Sequence, residues 1–425
     1  MKKKFTKNIT MAAAILISVL LFSTTAAAND IILQISHPWS SRPQFVEEMQ
    51  TRFNQSHKGI KINYILGGKG NWGPLFQSTM RDAMIESLPD LTHQMLSYTG
   101  VLVKQGIVQP IDTIPGGKAF LTSADISAAL LRAATASGHT YAVPFGMTIP
   151  VIYYNMSLLK QAGWPLDRAP ETWEEINDAA AKVAALGSHI NGGFFEFEAS
   201  NNWMYQNVLT SLGGSMHGHD TPIGFNTDTG IKAMTIIRDF AKAANTVAMT
   251  RSQARQAFNA GTMGVLFRSA SGIPSIMKAA ETNSFTLQVG AFPRDEGKGR
   301  LSAASHGAFI FTESPARQKA ALEYLKWAYG PEGQSIQASY AGYLPANTKA
   351  VGKSDLFTDY LNSNPYVRSL VDSAGNAGDW YTYPVKNTEQ IFHEQIEAVR
   401  SVIMGQASPE KAIAEMAEKT RKLLK

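Results

Sequence analysis

The 425-residue chain carries 39 basic and 34 acidic residues and no cysteine. The absence of cysteine excludes a disulfide framework, so a hydrophobic core must stabilise the fold, and a chain of this length can bury one. Four of the basic residues lie within 1–28, a segment that has no acidic residue, so the remaining 397 residues carry 35 basic against 34 acidic side chains. This near-neutral balance leaves no basic stripe that would favour nucleic acid as a partner.

The N-terminus has the pattern of an export signal. Four lysines precede the apolar run Met11–Phe22, and Ala26–Ala28 supplies the small residues at which signal peptidase cuts. The run is shorter than a membrane-spanning helix requires, so we predict that residues 1–28 are a cleaved signal peptide. Because no cysteine follows it, we expect a protein that is not lipidated and that resides in the periplasm of a Gram-negative bacterium.

The next hundred residues predict strands that alternate with helices. The predicted strands are Ile31–Ser36, Ile60–Leu66 and Leu91–Met95, and a helical pattern follows each of them. The first of these helices carries Phe45 and Met49 on one face. This βαβαβ order predicts a parallel sheet with helices on both faces and with ligands beyond the carboxyl ends of the strands.

Helices dominate the later segments. Thr172 and Glu175 form the pattern of a helix start, and Gly187 ends that helix. The other predicted elements are two strand-like segments, Phe285–Pro293 and Ala308–Phe311, and three helices, Asp228–Ala244, Ala316–Tyr329 and Ser408–Lys425. A chain of this length is expected to form two lobes or domains.

A glycine-rich segment, Gly68–Gly73, fits the G-x-G-x-x-G pattern of dinucleotide-binding loops. It follows the second predicted strand, however, and it holds Trp72 where the backbone would have to approach a pyrophosphate. We therefore interpret the segment as a loop that presents Trp72 to a cleft, and we expect no cofactor.

Catalytic motifs are weak. The sequence has no nucleophile elbow, no thiol and no zinc-protease motif. Glu196 and Glu198 alternate on a strand-like segment and so face one side, as the two carboxylates of a glycosidase might. A secreted carbohydrate-active hydrolase is therefore the alternative from another functional class. The histidines in His217–Asp220 are interpreted as part of an exposed loop, and no metal site is predicted.

Several tryptophans and tyrosines stand among amides and hydroxyls in predicted loops. The segments are HPWSS (37–41), NNWMY (201–205), GYLPAN (342–347) and DWYTY (379–383). Aromatic rings stack on the apolar faces of sugars, and polar side chains bind the sugar hydroxyls. Trp39, Trp203 and Trp380 are therefore candidate stacking platforms.

Five ordered segments resemble extracellular solute-binding proteins of family 1, the group that includes the maltose-binding and glycerol-3-phosphate-binding proteins of ABC importers. They are YAVPFGMTIPVIYYNMSLLKQAG (141–163), PETWEEI (170–176), FNTDTGIKAM (225–234), FNAGTMGVLF (258–267) and ALEYLKWAYGPEGQ…GYLPAN (321–347). The resemblance covers nearly all of the chain after the signal peptide.

The resemblance implies a class II periplasmic-binding-protein fold. This is an α/β architecture in which each of two lobes is a sheet flanked by helices and the chain crosses between the lobes three times. The implied N-terminal lobe is 29–143 plus 302–344, and the implied C-terminal lobe is 144–301 plus 345–425. Tyr141–Asn155 is expected to be the first crossing, where Pro144 and Pro150 keep the chain extended and Gly146 relieves it.

The same resemblance implies the function. The protein would be the periplasmic substrate-binding component of an ABC importer, a monomer that captures a carbohydrate or sugar derivative between its lobes and delivers it to the permease subunits in the inner membrane. Residues at the family's ligand-contacting positions are Trp72, Ser269, Ser271, Gly307 and Tyr343.

The ligand itself stays open at this point. The glycerol-3-phosphate branch has an acidic residue after its third strand, where this chain offers Gln94, and an arginine near the position of Glu389. Because loss of an arginine disfavours a phosphate ester, a neutral or otherwise substituted carbohydrate is favoured over glycerol 3-phosphate and glycerophosphodiesters. Arg42 and Arg268 remain candidate anion clamps, so a charged sugar derivative is a further alternative.

Overall fold

The structure is a computed structural model. It describes residues 30–124, 126–198, 201–350, 355–364, 366–367, 370 and 377–425. The predicted signal peptide lies outside these residues. Within them, no helix combines the length and the apolar character needed to cross a bilayer.

The strands form one large and one small sheet, together with a two-stranded ribbon. In chain order they are β1 (Ile31–His37), β2 (Ile60–Leu66), β3 (Leu91–Met95), β4 (Thr135–Ala136), β5 (His139–Thr140), β6 (Ala142–Thr148), β7 (Pro150–Asn155), β8 (Asn191–Phe195), β9 (Met263–Ser269), β10 (Leu287–Ala291), β11 (Ser302–Ile310), β12 (Leu344–Pro345) and β13 (Gly378–Asp379). The seven-stranded sheet has the order β12-β6-β11-β3-β1-β2, with β13 paired to β11, and the four-stranded sheet has the order β10-β7-β9-β8.

Helices surround both sheets. They are α1 (Pro43–Ser56), α2 (Trp72–Met84), α3 (Thr99–Lys104), α4 (Gly117–Ser123), α5 (Ala128–Ala133), α6 (Met156–Gln161), α7 (Trp173–Ala184), α8 (Trp203–Ser211), α9 (Asp228–Ala243), α10 (Arg251–Asn259), α11 (Ile273–Thr282), α12 (Pro315–Tyr329), α13 (Pro331–Ile336), α14 (Asp355–Ser363), α15 (Thr388–Ile403) and α16 (Pro409–Leu423). Each sheet with its helices is one lobe, so the chain has the two-lobed α/β fold that the sequence predicts. We call the lobe of the seven-stranded sheet the first lobe and the other the second lobe.

The predicted strands β1, β2 and β3 are present and parallel, with β1 between the other two. The helix after β1 buries Phe45, Met49 and Phe53, as its spacing predicts. The rest of the seven-stranded sheet is not parallel. Strand β11 lies between β3 and β6 and is antiparallel to both. The sheet is therefore mixed, because a strand from late in the chain is inserted beside β3.

Sheet membership shows where the chain passes from one lobe to the other. Strand β6 stays in the seven-stranded sheet as far as Thr148, and β7 begins the four-stranded sheet at Pro150. The change of sheet thus falls at Ile149, beyond the predicted boundary at 143/144. Strand β11 starts at Ser302, where the second boundary was predicted, and β12 pairs with β6 through Pro345. The extents of the lobes as domains remain a prediction.

Pro144, Phe145 and Gly146 of the first crossing form a β-bulge. Along β11, His306 pairs with Gly146 and Gly307 pairs with Pro144, so Phe145 is the extra residue on β6. A bulge tolerates proline because it releases a ladder hydrogen bond. The released carbonyl of Phe145 accepts hydrogen bonds from the side-chain amides of Gln334 and Gln337, at 2.9 and 2.8 Å.

Gly146 makes room for one of these amides. A Cβ atom at position 146 would lie 1.7 Å from Nε2 of Gln337. The glycine therefore allows a buried amide to approach the backbone of the bulge.

We expect Gly146→Ala to lower the free energy of unfolding by about 1–3 kcal/mol, because Gln337 must move and a buried carbonyl loses a donor. Thermal denaturation measures this change. Gly100→Ala is the matched control, since its new methyl group would meet Pro384 at an ordinary 3.5 Å. Equal melting temperatures for the two variants would contradict this account of the bulge.

Candidate ligand-binding cleft

A cleft of about 360 Å³ lies where the chain passes between the lobes. Its first-lobe lining includes Trp39, Arg42, Asn71, Trp72, His306 and Tyr343. Its second-lobe lining includes Glu196, Arg251, Arg255, Arg268, Ser269 and Ser271. Both lobes therefore contribute aromatic or polar groups to a single cavity, as small-molecule sites between domains do.

The glycine-rich segment forms the turn that brings Asn71 and Trp72 to the cleft. Gly68 and Gly70 have φ values of 55° and 81°, in the left-handed region that favours glycine. A Cβ on Gly70 would lie 1.9 Å from the hydroxyl of Ser40. The glycines thus serve a tight, closely packed turn, which agrees with the interpretation of this segment as a loop over a cleft.

An aromatic cluster forms the first-lobe wall. The ring of His306 lies 4.6 Å from that of Tyr343 and 5.1 Å from that of Trp72. Burial, with a smaller effect of the positive charge of Arg42, lowers the pKa of His306 to about 3, so the imidazole is neutral. Its two ring nitrogens are buried and have no hydrogen-bond partner among the described residues.

Three hydroxyls form a hydrogen-bonded chain at the crossing. Thr148 at the end of β6 bonds Ser269 at the end of β9 (2.8 Å), and Ser269 bonds Ser271 (2.9 Å). The Ser271 N–H donates to both Thr148 and Ser269, at 3.2 Å each. Arg42 of the first lobe donates to the Ser271 hydroxyl at 3.3 Å and lies over the Tyr343 ring, 4.6 Å from its centroid. The guanidinium of Arg42 thus links the two lobes.

A buried ion pair supports the second-lobe wall. Glu196, which follows β8, is fully buried and accepts two hydrogen bonds from Arg255, at 2.6 and 2.8 Å. Arg268 on β9 lies 3.7 Å from the same carboxylate, beyond hydrogen-bonding distance. Glu198 pairs with Arg400 from α15. Each carboxylate that lines the cleft is therefore bound to a guanidinium group.

A second set of contacts between the lobes lies beside the cleft. The hydroxyl of Tyr98 donates to Glu389 at 2.6 Å, and Asn201 donates to both groups, at 3.2 and 3.4 Å. Burial raises the pKa of Glu389 above its usual 4.5, and the hydrogen bonds from Tyr98 and Asn201 offset only part of this rise. A partly buried carboxylate without a cationic partner among the described residues thus joins the lobes.

Comparison with known proteins identifies the family. Residues 48–363 match the bacterial extracellular solute-binding proteins. The chain belongs to this family.

Its relatives include binding proteins for different solutes. The sn-glycerol-3-phosphate-binding periplasmic protein UgpB of Agrobacterium fabrum is 24% identical over 84% of this chain and 82% of its own. UgpB from Mycobacterium tuberculosis, solved in complex with glycerophosphocholine, superposes with a TM-score of 0.79 at 19% identity, over 93% of this chain and 98% of its own. The GacH receptor of Streptomyces glaucescens, solved unliganded and with acarbose, superposes with a TM-score of 0.77 at 17% identity. The match covers 93% of this chain and 98% of that receptor chain. The structural matches establish the two-lobed fold of this solute-binding protein.

Eight of the eleven predicted site residues of this solute-binding protein line the cleft. They are Trp39, Arg42, Trp72, Arg268, Ser269, Ser271, Tyr343 and Trp380. Two of the tryptophans are largely packed within the protein. Trp39 is only 3% exposed, and Trp380 stacks on Phe392 and donates to Asn202. Their contribution as stacking surfaces is therefore smaller than that of the half-buried Trp72.

Gln94, Trp203 and Gly307 do not line the cleft. Gln94 is fully buried and donates to Thr79. Trp203 is 1% exposed in α8, and its indole donates to the carbonyl of Ser302, so it fixes the start of β11. A Cβ on Gly307 would meet Leu96 and the carbonyl of Val143 at 2.7 Å, so this glycine serves packing within the sheet.

Sequence reasoning missed part of the cleft. Arg251 and Arg255 stand one turn apart on α10, and no motif marked them, although this spacing puts both on one helix face. Glu196 was considered only as a catalytic group, whereas it is the buried partner of Arg255. His306 was not identified, although it directly precedes the predicted site residue Gly307. His219 and Asp220 contact each other at the surface, and no group of three possible metal ligands occurs among the described residues.

The raised pKa of Glu389 has a consequence for stability. The folded protein holds this proton more tightly than the unfolded chain does, so the contribution of Glu389 is most favourable below about pH 4.5 and is lost as the pH rises through the raised pKa. We expect Glu389→Gln, which keeps a hydrogen-bond acceptor for Tyr98, to raise the melting temperature at pH 7. The gain should shrink towards pH 4.

Thermal denaturation of variant and parent between pH 4 and pH 8 measures this difference. Glu394→Gln on the same helix is the control, because Glu394 pairs with Lys419 at 2.7 Å and its loss should not stabilise the protein. A Glu389→Gln variant that is less stable than the parent at pH 7 would show that the charged form is the one the fold favours.

Proposed function

We propose that this solute-binding protein is the substrate-binding component of an ABC importer and that it captures a carbohydrate or sugar derivative in the cleft between its lobes. The observation that carries the proposal is the lining of the cleft. Both lobes contribute to one cavity, with the aromatic groups Trp72, His306 and Tyr343 on one wall and a chain of hydroxyls on the other. Rings that stack on a sugar and polar groups that bind its hydroxyls are the two requirements of a saccharide site.

The proposal includes the setting and the partners. The export signal predicted for residues 1–28 places the protein in the periplasm of a Gram-negative bacterium, without a lipid anchor. The partners are the permease subunits of the importer in the inner membrane, to which a monomeric binding protein delivers its ligand. Ligand binding favours the closed arrangement because the ligand contacts both lobes at once only when they are together.

Glycerol 3-phosphate or a glycerophosphodiester is the second candidate ligand. It is favoured by the UgpB relatives, which bind glycerol 3-phosphate or glycerophosphocholine. It is disfavoured by Glu389, a carboxylate where this branch of the family is expected to have an arginine, because a carboxylate at that position would repel a phosphate ester bound as in this branch.

A hydrolase is the weaker alternative. A glycosidase needs one carboxylic acid that can give up a proton and one carboxylate that acts as base or nucleophile. Both oxygens of Glu196 accept hydrogen bonds from Arg255, and Glu198 is paired with Arg400. Since both carboxylates are held by guanidinium groups, we propose that the protein binds its ligand without turning it over.

Calorimetry with neutral sugars, oligosaccharides, sugar acids, sugar phosphates and glycerol phosphates tests the proposal, with product analysis of the same mixtures and with X-ray scattering. We expect binding, a more compact scattering profile with ligand and no product. Product formation that disappears in Glu196→Gln or Glu198→Gln would favour the hydrolase. A protein that bound no member of the panel and did not close would be neither an importer component of this class nor a hydrolase of these compounds.

We expect Trp72→Ala to weaken binding of the ligand so identified at least tenfold. Loss of one central aromatic side chain typically costs about 2 kcal/mol, roughly thirtyfold in affinity. The melting temperature of the empty protein should change little, because Trp72 lies half-buried at the start of α2 with part of its surface facing the cleft. Calorimetry and thermal denaturation of the same preparation separate the two effects.

Trp327→Ala is the matched control, since Trp327 is also half-buried but lies on α12 and packs against Phe53. It should lower the melting temperature and leave affinity unchanged. If Trp72→Ala instead lowered only the melting temperature, Trp72 would be a packing residue.

A further inference from the structure

The cleft carries more guanidinium groups than carboxylates. Its charged lining residues are Arg42, Arg251, Arg255, Arg268, Glu196 and Glu198. These four guanidinium groups and two carboxylates leave an excess of two positive charges. The excess of positive charge in the cleft is larger still, because Arg400 from outside the cleft neutralises Glu198.

Arg268 has a guanidinium nitrogen that the protein leaves without a hydrogen bond. Arg255 occupies both oxygens of Glu196, and Nε of Arg268 remains 3.7 Å from the nearer of them. This Nε is buried and has no hydrogen-bond partner among the described residues. A buried cation is costly, and an anion bound to the part of the guanidinium that lines the cleft would offset that cost through its charge.

The pKa of Arg268 agrees with this geometry. Burial lowers it, the carboxylate of Glu196 acts in the opposite direction, and the charges of Arg255 and Arg42 lower it further. Burial is thus the main cost of keeping this guanidinium charged, and the carboxylate of Glu196 offsets only part of it.

The local backbone keeps the guanidinium in place. It lies against Gly272, where an added Cβ atom would come within 2.8 Å of Cζ and 2.9 Å of Nε. Gly272 has φ −81° and ψ −13°, which any residue can adopt, so the backbone conformation itself does not require glycine here. The glycine provides space for Arg268 directly beside Ser271.

Arg42 approaches the same place from the first lobe. It donates to the hydroxyl of Ser271 at 3.3 Å, and the ring of Tyr343 lies beneath it. Ser271 in turn belongs to the hydroxyl chain with Ser269 and Thr148. Two guanidinium groups from opposite lobes thus meet at one cluster of hydrogen-bond donors.

We infer that the ligand carries one anionic group, a phosphate monoester or a carboxylate on a sugar or polyol, and that Arg268 and Arg42 bind this group together. The inference rests on the proposed function, since it names the class of ligand for the same cleft. Charge-assisted hydrogen bonds from arginine to phosphate or carboxylate are about twice as strong as neutral ones. The anion would accept such bonds from both lobes at once and so hold them together, while Trp72 and His306 contact the uncharged part of the ligand.

The first test uses inorganic phosphate and acetate as probes of the unliganded mature protein, each compared with chloride at the same ionic strength. We expect phosphate, acetate or both to raise the melting temperature above its value in chloride. The anion with the larger effect distinguishes a phosphate site from a carboxylate site. Equal melting temperatures in all three salts would overturn the inference.

Variants assign the effect to the cleft. Arg268→Met should abolish the difference between the anions and chloride, and in chloride it should raise the melting temperature, because it removes a buried cation whose Nε has no hydrogen-bond partner among the described residues. If Arg268 were purely structural, the substitution would instead lower the melting temperature in chloride. Gly272→Ala, which displaces the guanidinium without removing it, should also abolish the anion effect. Arg238→Met is the control, since Arg238 lies on α9 and pairs with its neighbour Asp239 at the surface.

The second test is calorimetry with matched pairs, glucose against glucose 6-phosphate and glucuronate, and glycerol against glycerol 3-phosphate. We expect the anionic member of at least one pair to bind at least tenfold more tightly, and Arg268→Met to remove this preference. If neutral saccharides bind and close the lobes while the anions have no effect, the inference fails and the proposed function stands. If the anions act through Arg268 but no saccharide or polyol closes the lobes, the proposed function fails instead.

Discussion

The pairing of β11 between β3 and β6 is the constraint on which the cleft depends. All nine residues of this strand are buried, and its antiparallel pairing on both sides fixes their order along the sheet. At its first residue the backbone of Ser302 exchanges hydrogen bonds with Asn207 and accepts a third from Trp203, both on α8 of the second lobe. One strand therefore belongs to the first lobe by its pairing and is anchored to the second by its end. His306, in the middle of this strand, is thereby held at the cleft.

The contacts that join the lobes beside this strand are few and polar. Arg42 bonds Ser271 at 3.3 Å, and Tyr98 bonds Glu389 at 2.6 Å. A hydrogen bond to a charged group contributes only about 1.5–3 kcal/mol net, because water satisfies the same groups when the lobes separate. Such contacts can orient the closed arrangement without making it permanent. The energy that decides between open and closed forms must then come from a third partner that contacts both lobes, which is the thermodynamic condition for a binding protein that releases its ligand.

The local elements could be predicted from the sequence, and the long-range ones could not. Strands β2 and β3 have the predicted bounds because apolar runs between turn residues are local signals. The insertion of β11 beside β3 joins residues about 200 positions apart, which no periodicity records. The same limit applies to side chains. Trp72 could be placed because a glycine turn precedes it, whereas Trp203 was misplaced because its partner is the distant carbonyl of Ser302. The sequence alone could not distinguish Glu196 from a catalytic acid, because it does not show that Arg255 binds this carboxylate.

The charges around Glu196 leave the role of its carboxylate open. A carboxylate beside two guanidinium groups could be a ligand for a cation, a catalytic group or a structural anion, and only the hydrogen bonds distinguish these roles. Because Arg255 takes both oxygens of Glu196, the pair stabilises the wall of the cleft, and Arg268 is left to face the cavity. Glu196 nevertheless acts on Arg268 through its charge, since it partly counters the effect of burial on the pKa of that arginine. The carboxylate of Glu196 thus lowers the energetic cost of burying the guanidinium of Arg268 at the cleft. It does so without accepting the hydrogen bonds that a ligand would accept from Arg268.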